Sequence, residues 1–154
     1  MRNFLFVRIP KTASTAICTA LGIDAKHKTV GELSKEIPDF NERFKFSIVR
    51  NPYDRFISIC KFFDVKPETY GKGYFFKSQA DFLCINGKLA VDYVGRFEDL
   101  ENSFKHICDE IGTSASLNPY VKPNDGGRLG LEDVKDIVNK YYRRDFELFD
   151  YPKL

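Results

Sequence analysis

Phe4-Leu5-Phe6-Val7-Arg8-Ile9-Pro10-Lys11-Thr12-Ala13-Ser14-Thr15-Ala16-Ile17 is the stretch on which the fold turns. Phe4 to Ile9 is a short apolar, β-favouring run that stops at Pro10, and Thr12 to Leu21 reads as a helix closed by Gly22. The order is strand, loop, helix. Small and hydroxylated residues line the bend, with Lys11 on it, which is the composition of an anion cradle. Amides at a helix N-terminus bind negative charge, Thr and Ser hydroxyls add donors, and the lysine adds a full charge. The G-x-x-x-x-G-K-[ST] order of nucleotide triphosphatases is absent. Taken alone, the stretch fits a plain capped helix with a solvated lysine equally well.

A second unit repeats the pattern. Thr29 followed by Glu32 fits a capping box for a helix running to about Ile37, before Pro38. Phe44 to Val49 is bulky enough for a buried strand, and Asn51-Pro52 starts the next helix, because Asn caps and Pro suits the first position. In that helix the spacing of Phe56, Ile59, Cys60 and Phe63 predicts the core face and directs Arg55 and Ser58 elsewhere. Arg50 thus stands at a second strand end with Ser58 two turns on. The pair either clasps a phosphate, or Arg50 pairs with Asp54 and Ser58 is an ordinary polar residue.

Asp64 to Gly73 reads as a loop, Ser78 caps a short helix through Cys84, and Asn86-Gly87 is a turn. Ala90 to Phe97 is predicted as a strand and Asp99 to Ile111 as a helix ended by Gly112, with Leu100, Phe104, Ile107, Cys108 and Ile111 on its apolar stripe. After a polar segment, Leu131 to Tyr141 marks a last helix, with Glu132 and Asp133 early and Arg143 and Arg144 at its late end, as the helix dipole favours. Strands alternating with helices predict an α/β domain spanning residues 1–154, with a mainly parallel sheet covered on both faces. Ligands then bind at the carboxyl ends of the strands, just after Ile9, Val49 and Phe97.

Composition narrows the function. Of the 154 residues 43% are hydrophobic, including 15 Phe and 8 Tyr, enough for a core without metals or crosslinks. Lys and Arg number 24 against 22 Asp and Glu, too balanced for a protein that coats nucleic acid, so an anion site must be local. No stretch has the length of a membrane span. The four cysteines are scattered, and with two His no zinc-ligand spacing emerges. The chain reads as cytoplasmic.

Together the two motifs resemble the sulfotransferases that use 3′-phosphoadenosine-5′-phosphosulfate (PAPS), in particular the carbohydrate branch and its small bacterial relatives. The resemblance implies a P-loop-like three-layer sandwich. It also implies that Lys11, Thr12, Ser14 and Thr15, with the Ala13 and Ala16 backbone, hold the 5′-phosphosulfate, and that Arg50, Arg55 and Ser58 match the segment for the 3′-phosphate. Ala13 and Ser14 stand where glycines are common in the family. The Lys-Thr-Ala-Ser-Thr run is similar to the uronyl 2-O-sulfotransferase version. Asp92-Tyr93-Val94-Gly95-Arg96-Phe97-Glu98-Asp99-Leu100 resembles the family's late strand, which makes Phe97 the candidate adenine contact, with core packing as the alternative. Arg144 to Tyr151 resembles the terminal helix. Lys122 and Arg128 sit where family members close a basic loop over the cofactor.

The chemistry so implied is in-line transfer of a sulfuryl group to an acceptor hydroxyl, on a carbohydrate or a small molecule. The products are the acceptor sulfate and 3′-phosphoadenosine-5′-phosphate (PAP), and the scheme requires no metal. Lys11 serves the leaving oxygen. For the base, His27 lies where the 2-O branch has its catalytic histidine; Lys26 and Lys28 would lower its pKa, although they fit an exposed basic turn as well. Glu32 is a weaker substitute, and His106 reads as a surface residue. Phe62, Phe63, Tyr70, Tyr74, Phe75 and Phe76, with Lys66, Lys72 and Lys77 nearby, form either an acceptor surface or core. Two other functions share this pattern: a P-loop-type small-molecule kinase, and a non-catalytic nucleotide- or protein-binding module.

Overall fold

In the computed structural model, which describes residues 1–69, 73–118 and 129–154, strands and helices alternate along most of the chain. The order is β1 (Phe4–Phe6), α1 (Ser14–Leu21), α2 (Val30–Glu36), β2 (Phe44–Val49), α3 (Pro52–Phe63), α4 (Gln79–Leu83), β3 (Cys84–Ile85), β4 (Lys88–Leu89), β5 (Tyr93–Arg96), α5 (Leu100–Ile111), α6 (Leu131–Tyr141) and α7 (Arg143–Phe149). β1, β2 and β5 form a parallel sheet with β2 in the middle, in register from Phe4 opposite Phe44 and from Phe46 opposite Tyr93.

Side chains alternate across the central strand and so divide the interior into two layers. Phe44, Phe46 and Ile48 meet α1 and α5 through Ile17, Phe104 and Ile107. On the other face Val7, Ile9 and Val49 join apolar residues of α2, α3, α4, α6 and α7, among them Val30, Phe56 and Val138. Every residue of β2 is buried, including Lys45, whose ammonium donates to the Arg43 and Phe40 carbonyls at 2.9 and 3.3 Å, and Ser47, whose hydroxyl donates to Val7 O at 2.6 Å. Helices on both faces of a parallel sheet make the three-layer α/β sandwich that the alternation predicts.

The local signals act as read. Thr29 and Glu32 form the capping box of α2, and Asn51 Oδ1 accepts from Tyr53 N at 2.9 Å at the head of α3, where Pro52 takes the first position. Asn86 and Gly87 both have positive φ, 52° and 79°, the backbone of a two-residue hairpin turn joining β3 to β4. Gly95 lets β5 approach α5: a Cβ there would lie 2.7 Å from Ile48 Cδ1 and 2.7 Å from Ser103 Cβ.

Four expectations need correction. The strand predicted over Ala90 to Phe97 is only Tyr93–Arg96, because Ala90 N bonds back to Leu83 O and Phe97–Asp99 turns into α5. Phe63 is 45% exposed, since the last turn of α3 runs past the core and leaves it packed edge-on against Phe62 and Phe75. Arg55 belongs to the interior instead of the polar face, at 2% exposure. The final helix breaks at Tyr142, which turns inward to donate its hydroxyl to Phe76 O at 2.5 Å. Arg143 and Arg144 therefore open α7 instead of closing α6.

Candidate functional site

Two loops meet at the carboxyl edge of the sheet. The first bends sharply after Ile9, with Lys11 and Ala13 both in the left-handed region at φ 65° and 64°. Side chains with a Cβ rarely adopt this conformation, at a cost of roughly 1–2 kcal/mol per residue, so the surrounding structure holds the loop in it. Thr12 is fully buried and braces the bend from inside, donating its hydroxyl to Ile9 O at 2.9 Å. Ser14, Thr15 and Ala16 form the first turn of α1. Arg8 spans that turn: Nε donates to Ser14 Oγ at 3.0 Å, one terminal nitrogen to Thr15 Oγ1 at 3.0 Å and the other to Ala25 O at 2.9 Å. A hydroxyl that accepts from Arg8 keeps its own proton to donate. The Lys11 ammonium lies 4.7 Å from the centre of the Phe62 ring.

The second loop begins at Arg50. Its guanidinium stacks on Phe97, 4.0 Å from the ring centre, and donates to Lys11 O at 3.3 Å, while its Nε is buried with no hydrogen-bond partner among the described residues. Burial draws this guanidinium below its ordinary pKa, whereas Asp54 and Glu98 nearby hold it up. Arg55 ties the loops together. Its guanidinium donates to Pro10 O at 2.9 Å, Lys77 O at 3.0 Å and Phe75 O at 3.0 Å. It is a strut between the two motifs, with its donors turned to backbone carbonyls. Ser58 is half-buried on α3, one turn beyond Arg55.

His27 approaches from the segment between α1 and α2. Its Nδ1 is 3.3 Å from Arg8 O, and its ring packs edge-on against Phe75 at 4.9 Å between centres. Burial lowers its pKa from the ordinary 6.5, and the Arg8 charge lowers it further. Arg8 and burial take the part expected of Lys26 and Lys28, which pair instead with Asp24 at 2.9 Å and Glu36 at 2.6 Å. Phe75 also contacts Phe62 and Phe63, so an aromatic cluster joins the surroundings of Lys11 to those of His27. Glu32 is occupied elsewhere, accepting from the Tyr74 hydroxyl at 2.6 Å. His106 is exposed on α5, stacked on Tyr93.

The loops thus bring together Lys11, Thr12, Ala13, Ser14, Thr15, Ala16, Arg50 and Phe97, with His27 beside Arg8, while Ser58 stands further along α3. Tyr70, Lys72, Lys122 and Arg128 lie outside the described residues. A concavity of about 410 Å³ lined by Met1 to Phe6, Ile23 to Ala25 and Arg43 lies at the outer edge of β1, apart from the motif loops.

Some contributors carry no local signal in the sequence. Glu98 accepts from Asn51 N at 2.9 Å and from the Tyr151 hydroxyl at 2.6 Å. Gln79 bonds to the backbone of Arg50. Arg8 is visible in sequence only as a charge ending an apolar strand; its three acceptors lie between six and seventeen positions further on.

No curated protein and no solved structure gives a significant match to the chain. The model of the sulfotransferase family matches residues 2–74, the segment from β1 past α3 that holds both motif loops, the Arg55 strut and His27. Over that segment the chain is similar to the sulfotransferase family, and its fold is the P-loop-like α/β sandwich that the family implies.

Proposed function

We propose that the protein transfers a sulfuryl group from PAPS to an acceptor hydroxyl. The observation that carries this reading is the buried Arg50 Nε, a cationic donor without a partner among the described residues, one residue beyond β2 and in contact with the Lys11 loop. Such a donor fits a phosphate oxygen, because an orphaned buried N–H is costly unless something accepts from it. In this reading Arg50 and Ser58 hold the 3′-phosphate. The amides of Ala13 to Ala16 and the Ser14 and Thr15 hydroxyls hold the 5′ side, with Thr12 bracing the loop. Phe97, already stacked on Arg50, is the neighbour of the adenine.

PAPS supplies an electrophilic sulfur and a phosphate leaving group. Lys11 stabilises the negative charge that grows on the bridging oxygen as the S–O bond to that phosphate breaks. His27, kept neutral by burial and Arg8, takes the proton of the acceptor hydroxyl as the new S–O bond forms. The scheme draws on no metal. We take the acceptor to be a carbohydrate or another small hydroxyl compound. The single domain of residues 1–154 is assigned to the cytoplasm; the four cysteines are thiols, as a reducing compartment keeps them, and no helix among the described residues is long and apolar enough to cross a membrane.

The test is ligand-induced stabilisation followed by turnover. PAP should raise the melting temperature by mass action and ATP much less, and Arg50→Ala should abolish the difference. Lys11→Ala should lower turnover with PAPS roughly a hundredfold or more. Equal shifts from PAP and ATP would point to the kinase reading, and PAP binding without product from any hydroxyl acceptor to a binding module.

A further inference from the structure

We infer that Gln79 is a positioning residue for the donor site: a carboxamide clamp that holds Arg50 in the orientation in which its guanidinium meets the 3′-phosphate. This inference rests on the proposed role of Arg50. An extended residue directs its N–H and C=O to the same side, and a carboxamide is the shortest side chain with both complements. Gln79 supplies them to Arg50. Its Oε1 accepts from Arg50 N at 2.8 Å and its Nε2 donates to Arg50 O at 2.8 Å, with the Gln79 side chain wholly buried. Pairing of β2 with β5 ends at Val49, so the clamp extends the ladder by one residue beyond the sheet.

The clamp is itself anchored. Asp145 of α7, 0% exposed, accepts from Gln79 N at 3.0 Å and from Ala80 N at 2.8 Å, and so fixes the start of α4. Burial raises the Asp145 pKa while these two amides and Arg55 lower it. Arg50 therefore depends on Gln79, and Gln79 on Asp145. Both lie beyond residues 2–74, so the C-terminal half reaches the donor site through hydrogen bonds to backbone.

The experiment compares the affinity of PAP with that of adenosine 5′-phosphate, which lacks the 3′-phosphate, in the wild-type chain, Arg50→Ala, Gln79→Met and Gln79→Glu. Arg50→Ala should collapse the preference for PAP. Gln79→Met should reduce PAP affinity about tenfold or more, as small misplacements do, while leaving adenosine 5′-phosphate within about twofold. A merely structural role would shift both ligands together. Gln79→Glu keeps the acceptor for Arg50 N but turns a second oxygen toward Arg50 O until it is protonated. Its PAP affinity, relative to wild type at each pH, should recover as pH falls; Arg50, Arg55, Asp145, Asp54 and Glu98 are common to both proteins, and the ratio cancels their titration. This variant decides the matter if Gln79→Met does not fold. Should Arg50→Ala lose the preference while the Gln79 variants keep it, or should the Gln79 variants weaken both ligands equally, the clamp is wrong and the donor reading stands. Should Arg50→Ala itself keep the preference, the role of Arg50 in the donor reading falls and the clamp falls with it.

Discussion

Arg55→Met separates a structural role from a ligand-binding one at a position where the motif alone suggests a phosphate contact. Methionine fills much of the arginine stem's volume but removes the guanidinium, leaving the carbonyls of Pro10, Phe75 and Lys77 without the bonds that now reach them at 2.9–3.0 Å. With the site 2% exposed, water is a poor replacement. Each orphaned acceptor costs about 1–3 kcal/mol, but removing the buried cation also recovers its desolvation penalty, so the three costs do not add in full. A net loss of about 3–5 kcal/mol follows, in the range for breaking a buried charged network. For a domain of this size about 1 kcal/mol moves the melting temperature by 2–4 °C, giving a fall of roughly 6–20 °C by calorimetry or circular dichroism. Arg50→Ala, at a half-buried side chain, should lower it by far less while losing PAP binding. A variant Arg55→Met that melts with the wild type and binds PAP weakly would refute the strut and return Arg55 to the phosphate.

Other outcomes follow from the same geometry. Ala13→Gly should raise stability by about 0.5–1 kcal/mol, because relief of the left-handed strain at φ 64° exceeds the added unfolded-chain entropy; a lower melting temperature would contradict this. Gly95→Ala should cost about 1–3 kcal/mol, since the new methyl meets Ile48 and Ser103 at 2.7 Å and must push β5 from α5; denaturant unfolding measures it, and no change would overturn the close approach. His27 has a folded-state pKa below its unfolded value near 6.5, so the unfolded chain binds the extra proton and stability falls as pH drops through that value. His27→Gln should flatten the melting-temperature profile between about pH 7 and 5 and depress turnover while sparing PAP binding; a profile as steep as wild type's would count against the buried neutral histidine.

Much of the fold was legible because its signals are local. The capping box at Thr29 and Glu32, the Asn51-Pro52 helix start, the Asn86-Gly87 turn and the stripe from Phe104 to Ile111 each depend on residues within a few positions. Both motif loops were legible for the same reason. The strand over Ala90 to Phe97 was overread because apolar composition does not say where a neighbouring strand stops pairing; β2 and β5 part after Val49 and Arg96.

The alternation of strands and helices, and the placing of Lys11 and Arg50 just beyond two strand ends, follow from neighbouring residues, since periodicity and caps act over a turn or two. Packing alone settles which cation has its donors taken by backbone carbonyls. Arg50 and Arg55 stand five positions apart in one motif. Arg55 falls on the buried side of α3, where the carbonyls of Pro10, Phe75 and Lys77 converge on its guanidinium, while Arg50 keeps its Nε unpaired among the described residues. The acceptors that distinguish them come from segments 20 to 45 residues away, and only packing brings those within hydrogen-bond reach.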